Sequence, residues 1–304
     1  MSSVAETGGQ GWRDVPERGT ALGIRAVVVL ATAFGRAPAR LLVRFIALYY
    51  TLFFGTARRA SQAFLRRLQQ PAGFWAAYRN VLRFAQCTLD ALFFLRGKIA
   101  PFAITRDGHD HLEHLRSTQT GAVLLGGHLG SFYAMRGQSH QESLPLYPLV
   151  YLKNAKQINE ALHGLDPRSK AHLIEMGDDD VRFVLRVREL VEHGGLVAIL
   201  ADRVPKGGRS VEVDFLGEKA RLPVGPYLLA STLRCPVYFT CGLYREPNRY
   251  ELHCEPFADR IVLPRGEREQ ALARYAQQYA DRLGAYCREA PDNWFNFYDF
   301  WKAP

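Results

Sequence analysis

The sequence predicts an α/β fold, a mixed and largely parallel sheet flanked by helices, with an N-terminal helical segment that associates with a membrane. Three observations lead there. Apolar strand-like runs alternate with amphipathic helical patterns throughout residues 121–244, as crossover connections between parallel strands require. At 304 residues and 48% hydrophobic, the chain can bury one large α/β core and still carry an appended segment. The net charge of +9 is also unevenly placed: residues 1–100 hold 14 Lys/Arg against 4 Asp/Glu, residues 101–304 hold 25 against 26. The expected organisation is a basic, apolar helical region over 1–100 and an α/β domain over 101–304.

Residues 1–20 are rich in Gly, Ser and charge, with no apolar run of the secretory-signal kind. Ala26 to Phe34 and Phe45 to Ala57 are the most apolar stretches, each shorter than the ~20 residues of a spanning helix. Arg36, Arg40 and Arg44 lie between them, with Pro38 marking a break. The pattern reads as a helix-turn-helix dipping into one leaflet, with Tyr49, Tyr50, Phe53 and Phe54 at the interface. A buried helical hairpin and a single tilted span through 41–57 remain open alternatives. Basic charge mixed with apolar residues suits an anionic lipid surface. It does not suit a nucleic-acid groove, because residues 22–57 are too apolar. Arg58, Arg59, Arg66 and Arg67 follow in helical register, facing head groups. A further helix covers 74–96.

His111, Glu113 and His114 in HDHLEHL match no strong zinc spacing, and no metal is expected there. Next comes GAVLLGGHLGSFYAMR, residues 121–136. Ala122 to Leu125 reads as a buried strand, broken by Gly126 and Gly127, with a helix starting near Gly130. His128 sits where the strand ends, the place where open α/β sheets bind ligands. Backbone N–H groups of the two glycines are candidates to face a developing negative charge. Beyond it, strands are expected at 145–152, 172–176 and 196–201, and helices at 154–165 and 181–193. The 196–201 strand ends in Asp202-Arg203, which should point into the same crevice as His128. A strand at 211–215, an antiparallel pair at 236–244 and 250–255, and a long helix at 267–288 complete the order. The three aspartates at 178–180 are read as a helix start, whose dipole they stabilise. The odd number of cysteines, 5, forms no CxxC pair and indicates a reducing compartment. The chain carries no GxSxG, P-loop or GxGxxG, which argues against a serine hydrolase, an NTPase or a dinucleotide enzyme.

HLGSF after a GAVLL strand resembles the first block of the late lipid A acyltransferase family, within the lysophospholipid acyltransferase superfamily. That block is a His-x4-acid motif in which the histidine is the general base. His128 matches the base; Tyr133 stands where the family has its acid. Ala201-Asp202-Arg203, the Trp12/Glu17-Arg18-Gly19 opening and the block from Phe215 to Pro226 resemble family segments too. The ending PDNWFNFYDFW resembles acyltransferases found beside aryl-polyene pigment genes. The resemblance runs from Trp12 to Trp301 and implies a glycerolipid acyltransferase-like fold. It implies O-acyl transfer from a thioester of acyl carrier protein to a lipid hydroxyl at the cytoplasmic face of the bacterial inner membrane, without cofactor or metal. His128 and Tyr133 would be catalytic, with Gly127, Gly130, Ser131, Arg136, Asp202 and Arg203 at the substrate. Three accounts of Tyr133 stay open. Asp202 has taken over the carboxylate's role, or the tyrosine hydroxyl suffices to fix the imidazole tautomer, or the chain is a non-catalytic relative that binds lipid or carrier protein. A thioesterase is a further alternative.

Overall fold

The computed structural model describes residues 21–142, 144–150, 173–175, 180–205 and 207–302. Strand β1 is Ala103–Asp107, β2 Ala122–Gly126, β3 Leu146–Val150, β4 Ile174–Glu175 and β5 Leu196–Leu200. Strands β8 (Val237–Arg245) and β9 (Arg249–Ala258) complete a seven-stranded sheet in the order β1-β9-β8-β2-β5-β3-β4. Every pairing is parallel except β8 with β9. β2 is central and buried at all five positions, as a continuous apolar run between two covered faces must be. Its side chains alternate. Val123 and Leu125 enter the main core with Leu272, Tyr279 and Leu283 of the long helix α9 (Arg268–Glu289). Ala122 and Leu124 face Leu115 of helix α5 (His109–Ser117) and Phe132 of α6 (Phe132–Gln141). Helices α7 (Asp180–Glu192) and α8 (Gly225–Leu233) are the other helices of the α/β body among the described residues.

Most expected elements fall where the pattern put them, and two points differ. β1 is an exposed edge strand of mixed polarity, so it carries no apolar run to read. Ser210–Phe215 (β6) pairs with Glu218–Pro223 (β7) as a separate two-stranded hairpin. Leu216 and Gly217 turn it with positive φ (55° and 87°), the twist a tight hairpin needs. The expected pattern has a strand at 211–215 and none at EKARLP. The expected helix at 154–165 lies outside the described residues.

The N-terminal helices are α1 (Ala21–Phe34), α2 (Arg36–Phe53), α3 (Gly55–Arg67) and α4 (Phe74–Leu95). The α1–α2 break is at Gly35, whose φ is 85°. Pro38 lies within the first turn of α2, where a missing N–H costs nothing. The chain then bends by 90° between α2 and α3, inside the stretch considered as one tilted span, and no described helix alone is long and apolar enough to cross a membrane. These helices pack on the α/β body. Phe64 and Leu65 of α3 belong to the same core as β2 and Trp294. Arg36 grips the fully buried Asp90 of α4 with two hydrogen bonds of 2.6 and 2.8 Å, and Tyr250 of β9 donates to the same carboxylate at 2.7 Å. Arg40 donates to the Tyr244 hydroxyl at 2.8 Å and pairs with Glu246 at 3.1 Å. Two of the arginines between the apolar stretches thus pin α2 to the β8–β9 end of the sheet. Arg67, read as facing head groups, instead pairs with Glu218 and lies over the Trp301 ring at 4.0 Å.

Candidate active site

The site grows out of strand register. β2 and β5 pair with Gly126 opposite Leu200, and the Ala201 N–H continues the ladder onto the Gly126 carbonyl at 2.9 Å. His128 and Asp202 each stand two residues beyond that matched pair, at the carboxyl ends of adjacent parallel strands. They meet there. His128 Nδ1 lies 2.7 Å from Asp202 Oδ1, and the His128 backbone N–H donates to Oδ2 at 2.9 Å. A carboxylate only accepts, so Nδ1 carries the hydrogen and Nε2 keeps its lone pair. The Asp202 side chain is fully buried, while 27% of the His128 side chain is exposed.

Burial alone would raise the pKa of Asp202. The facing His128 ring, its backbone N–H and the Arg203 charge outweigh burial and hold the carboxylate well below its usual range. Burial lowers the pKa of His128, Arg203 lowers it further, and Asp202 only partly compensates. The two directions are consistent: near neutral pH the pair is a neutral imidazole on an ionised carboxylate.

The loop holding His128 tolerates no side chain at two positions. A Cβ at Gly127 would stand 2.9 Å from the Tyr279 hydroxyl and 3.6 Å from Asp202 Cγ. That hydroxyl donates to the Gly126 carbonyl at 2.7 Å. Gly130 has φ +67°, and a Cβ there would lie 2.0 Å from the Gly242 carbonyl oxygen. Ser131 is the N-cap of α6: its Oγ accepts the Ala134 N–H at 3.2 Å, satisfying a donor the helix leaves open. The amides of His128, Gly130 and Ser131 are spent on Asp202, Asn293 and Gly242. The loop around His128 is therefore tied by its amides to three other segments of the chain.

The C-terminal aromatic segment closes the site. The Phe295 N–H donates to the His128 carbonyl at 2.7 Å, and the Gly130 N–H donates to Asn293 O at 2.8 Å. Trp294 Nε1–H (3.2 Å) and Asn296 Nδ2–H (3.0 Å) both donate to Asp202 Oδ2. Arg203 Nε donates to Asn296 Oδ1 at 2.7 Å and its Nη2 to Phe295 O at 2.8 Å. Trp294 is seated among Phe64, Phe215 and Phe300. WFNFYDFW was legible as a family ending without a physical reason. Its reason is this second layer around Asp202. The available signal was a pair of asparagines, Asn293 and Asn296, set among aromatics, since buried amides require partners.

Of the expected site residues, the structure brings together His128, Asp202, Arg203, Gly127 and Gly130. Ser131 adjoins them as a helix cap. Tyr133 does not reach the pair. Its ring packs on the clusters of α4 and near Phe132, and its hydroxyl makes no hydrogen bond to His128 or Asp202. On α6, residue 133 lies beyond the turn at Gly130, and its apolar neighbours draw the ring toward α4. Burial raises its pKa, with Arg136 acting the other way, so it is a neutral phenol. Arg136 lies one turn further along α6.

Residues 76–303 match the family model described as bacterial lipid A biosynthesis acyltransferase. No curated protein sequence matches the chain.

Proposed function

The chain belongs to the bacterial lipid A biosynthesis acyltransferase family, and on that premise we propose that His128 and Asp202 transfer an acyl group from a thioester to a lipid hydroxyl. Nε2 of His128 takes the hydroxyl proton as the oxygen attacks the thioester carbonyl carbon. The resulting tetrahedral intermediate collapses, breaking the C–S bond, and the imidazolium returns the proton to the departing thiolate. Asp202 fixes the tautomer beforehand and stabilises the imidazolium once it forms. No covalent enzyme intermediate is needed. Tyr133 takes no part, and the carboxylate role belongs to Asp202. The donor is an acyl carrier protein thioester of a fatty or aryl-polyene acid.

The acceptor reaches the enzyme at a membrane, the cytoplasmic face of the bacterial inner membrane. Residues 21–100 hold 12 Lys/Arg and one acidic residue, Asp90, and Asp90 is buried on Arg36. The outer side of α2 exposes Leu41, Phe45, Tyr49, Leu52 and Phe53, and Phe34 of α1 and Trp75 of α4 are exposed as well. An apolar stripe on a helix layer with no free carboxylate suits the surface of anionic lipid.

The single observation that carries the chemistry is the 2.7 Å His128–Asp202 contact at the family's histidine. The test is single-turnover acyl transfer from an acyl carrier protein thioester to mixed membrane lipids. His128→Ala is expected to form no product, Asp202→Asn to lose on the order of 10⁴ in rate, and Tyr133→Phe to stay within a few-fold of wild type. Loss with Tyr133→Phe and retention with Asp202→Asn would return the role to the tyrosine. Binding of acylated carrier without turnover in any form would make the chain a non-catalytic relative. Free acid in place of acylated lipid would make it a thioesterase.

A further inference from the structure

We infer that Asn296 and Trp294 are positioning residues, which act through Asp202 to hold His128 in the tautomer that leaves Nε2 free, with Arg203 locking Asn296 in the one amide orientation able to do so. The inference rests on the acyl-transfer reading for its kinetic consequence, not for its geometry. A carboxylate offers about four acceptor sites. Oδ1 of Asp202 takes His128 Nδ1, and Oδ2 takes three donors: the His128 amide, Trp294 Nε1 and Asn296 Nδ2. Four donors hold the carboxylate, which cannot rotate away from the ring without breaking bonds to two distant segments.

An asparagine amide has nearly the same shape in its two flipped orientations, so its neighbours must choose. Arg203 only donates. Its Nε, 2.7 Å from Asn296 Oδ1, requires the oxygen on that side. The amino group then faces Asp202 Oδ2 at 3.0 Å. Flipped, the amide would set oxygen against carboxylate and N–H against guanidinium at once. Arg203 is itself fixed by the Phe295 carbonyl at 2.8 Å, one residue from the amide it orients. A strap of three residues, 294–296, therefore touches the His128 backbone, the Asp202 carboxylate and Arg203 together.

The ionisable groups around the pair are Arg203, Tyr279, Tyr298 and Cys287. Burial raises the pKa of Tyr279, Tyr298 and Cys287, keeping them neutral, so among the described residues Arg203 is the one charged neighbour. Asn296→Asp keeps the size and the acceptor for Arg203 but turns a donor into a second carboxylate facing Asp202. Paired with the Arg203 guanidinium, 2.7 Å from the retained oxygen, the new carboxylate stays ionised and adds negative charge beside the imidazole.

The test follows the His128 imidazole by ¹⁵N NMR across pH, with the pH–rate profile measured in parallel on the full chain. In Asn296→Asp, the His128 titration is expected to move up by about one unit or more, and the acid limb of the rate profile to move with it. Trp294→Phe keeps the aromatic packing and loses only the N–H. It is expected to lower kcat several-fold with little change in KM, and to populate the other tautomer. A folded Asn296→Asp with wild-type titration, and a folded Trp294→Phe with the wild-type tautomer, would overturn the inference. Loss of activity that merely tracks the folded fraction, with an unchanged acid limb, would do the same. Because the NMR titration needs no turnover, shifted titrations in a protein that transfers no acyl group would leave the positioning role standing and remove the acyltransferase reading.

Discussion

Replacing Tyr133 by glutamate restores the family's motif in the sequence, yet it is expected to restore nothing in the molecule. The side chain at 133 packs with the α4 clusters that hold Phe93 and Phe297, and its hydroxyl makes no hydrogen bond to the His128–Asp202 pair. A carboxylate there loses its hydration without a hydrogen-bond partner at the pair, at a cost on the order of 2 kcal/mol. Urea unfolding should show a lowered midpoint, and acyl transfer should not rise above wild type. The charge state of the real pair gives a second test at this scale. The folded pKa of His128 lies below its ordinary 6.5, and that of Asp202 below its ordinary 3.8. Below pH 6.5 the unfolded chain binds a proton at His128 that the folded chain still refuses. This contribution to stability is present above pH 6.5 and is lost as pH falls through the folded value. Asp202 acts in the same sense below 3.8. Stability should therefore decline from about pH 6.5 downward, and His128→Ala should flatten the first part of that decline in thermal melts.

At the level of elements, the site is a consequence of register, and register was half legible. The apolar runs ending near Gly126 and Leu200 marked two strand ends, and the arrival of His128 and of Asp202 at those ends placed both residues in one crevice. The sequence could not show that these strands are neighbours: pairing depends on contacts between residues more than 70 positions apart. The C-terminal aromatic segment was less legible still, because it has no helical or strand period. Its partners Phe64, Phe215 and Asp202 are scattered along the chain. The packing of the Tyr133 ring among the α4 clusters was not legible for a local reason, since a motif fixes spacing along the chain but not the direction of a side chain on α6. The turn at Gly130 offers the element-scale prediction. Alanine there meets the Gly242 carbonyl at 2.0 Å and must adopt φ +67°, so either the loop or the end of β8 has to move. Strain of this kind costs on the order of 1–3 kcal/mol. Gly130→Ala should lose activity further than its loss of stability explains, because the displaced loop carries His128. Comparing rate per folded molecule, with the folded fraction from circular dichroism, separates the two effects.

Across the whole molecule, the N-terminal helices couple two surfaces. Their inner side seats Tyr133 and Phe297 within the cluster formed by α1, α2 and α4, one residue from the strap on Asp202. Their outer side carries the exposed apolar stripe. The inner side is held by Arg36 on buried Asp90 and by Arg40 on Tyr244, so the outer stripe is presented from a fixed layer rather than a loose tail. A fixed layer of this kind predicts separable phenotypes. Phe45 and Tyr49 are 63% and 53% exposed and one turn apart on α2, so replacing both by glutamate removes no buried side chain, costs the Tyr49 ring contacts with Tyr50, Phe53 and Phe54, and should change stability by only about 1 kcal/mol. It also puts two negative charges on a stripe flanked by arginines. Co-sedimentation with vesicles containing phosphatidylglycerol should fall at least tenfold for this variant, and wild-type binding should weaken as salt rises, since exposed charges are screened within about 10 Å at 0.1 M. Transfer to a detergent-dispersed acceptor should remain close to wild type, because the His128–Asp202 pair is untouched. Undiminished vesicle binding by the double variant would remove α2 as the docking face and return the membrane contact to another part of the chain.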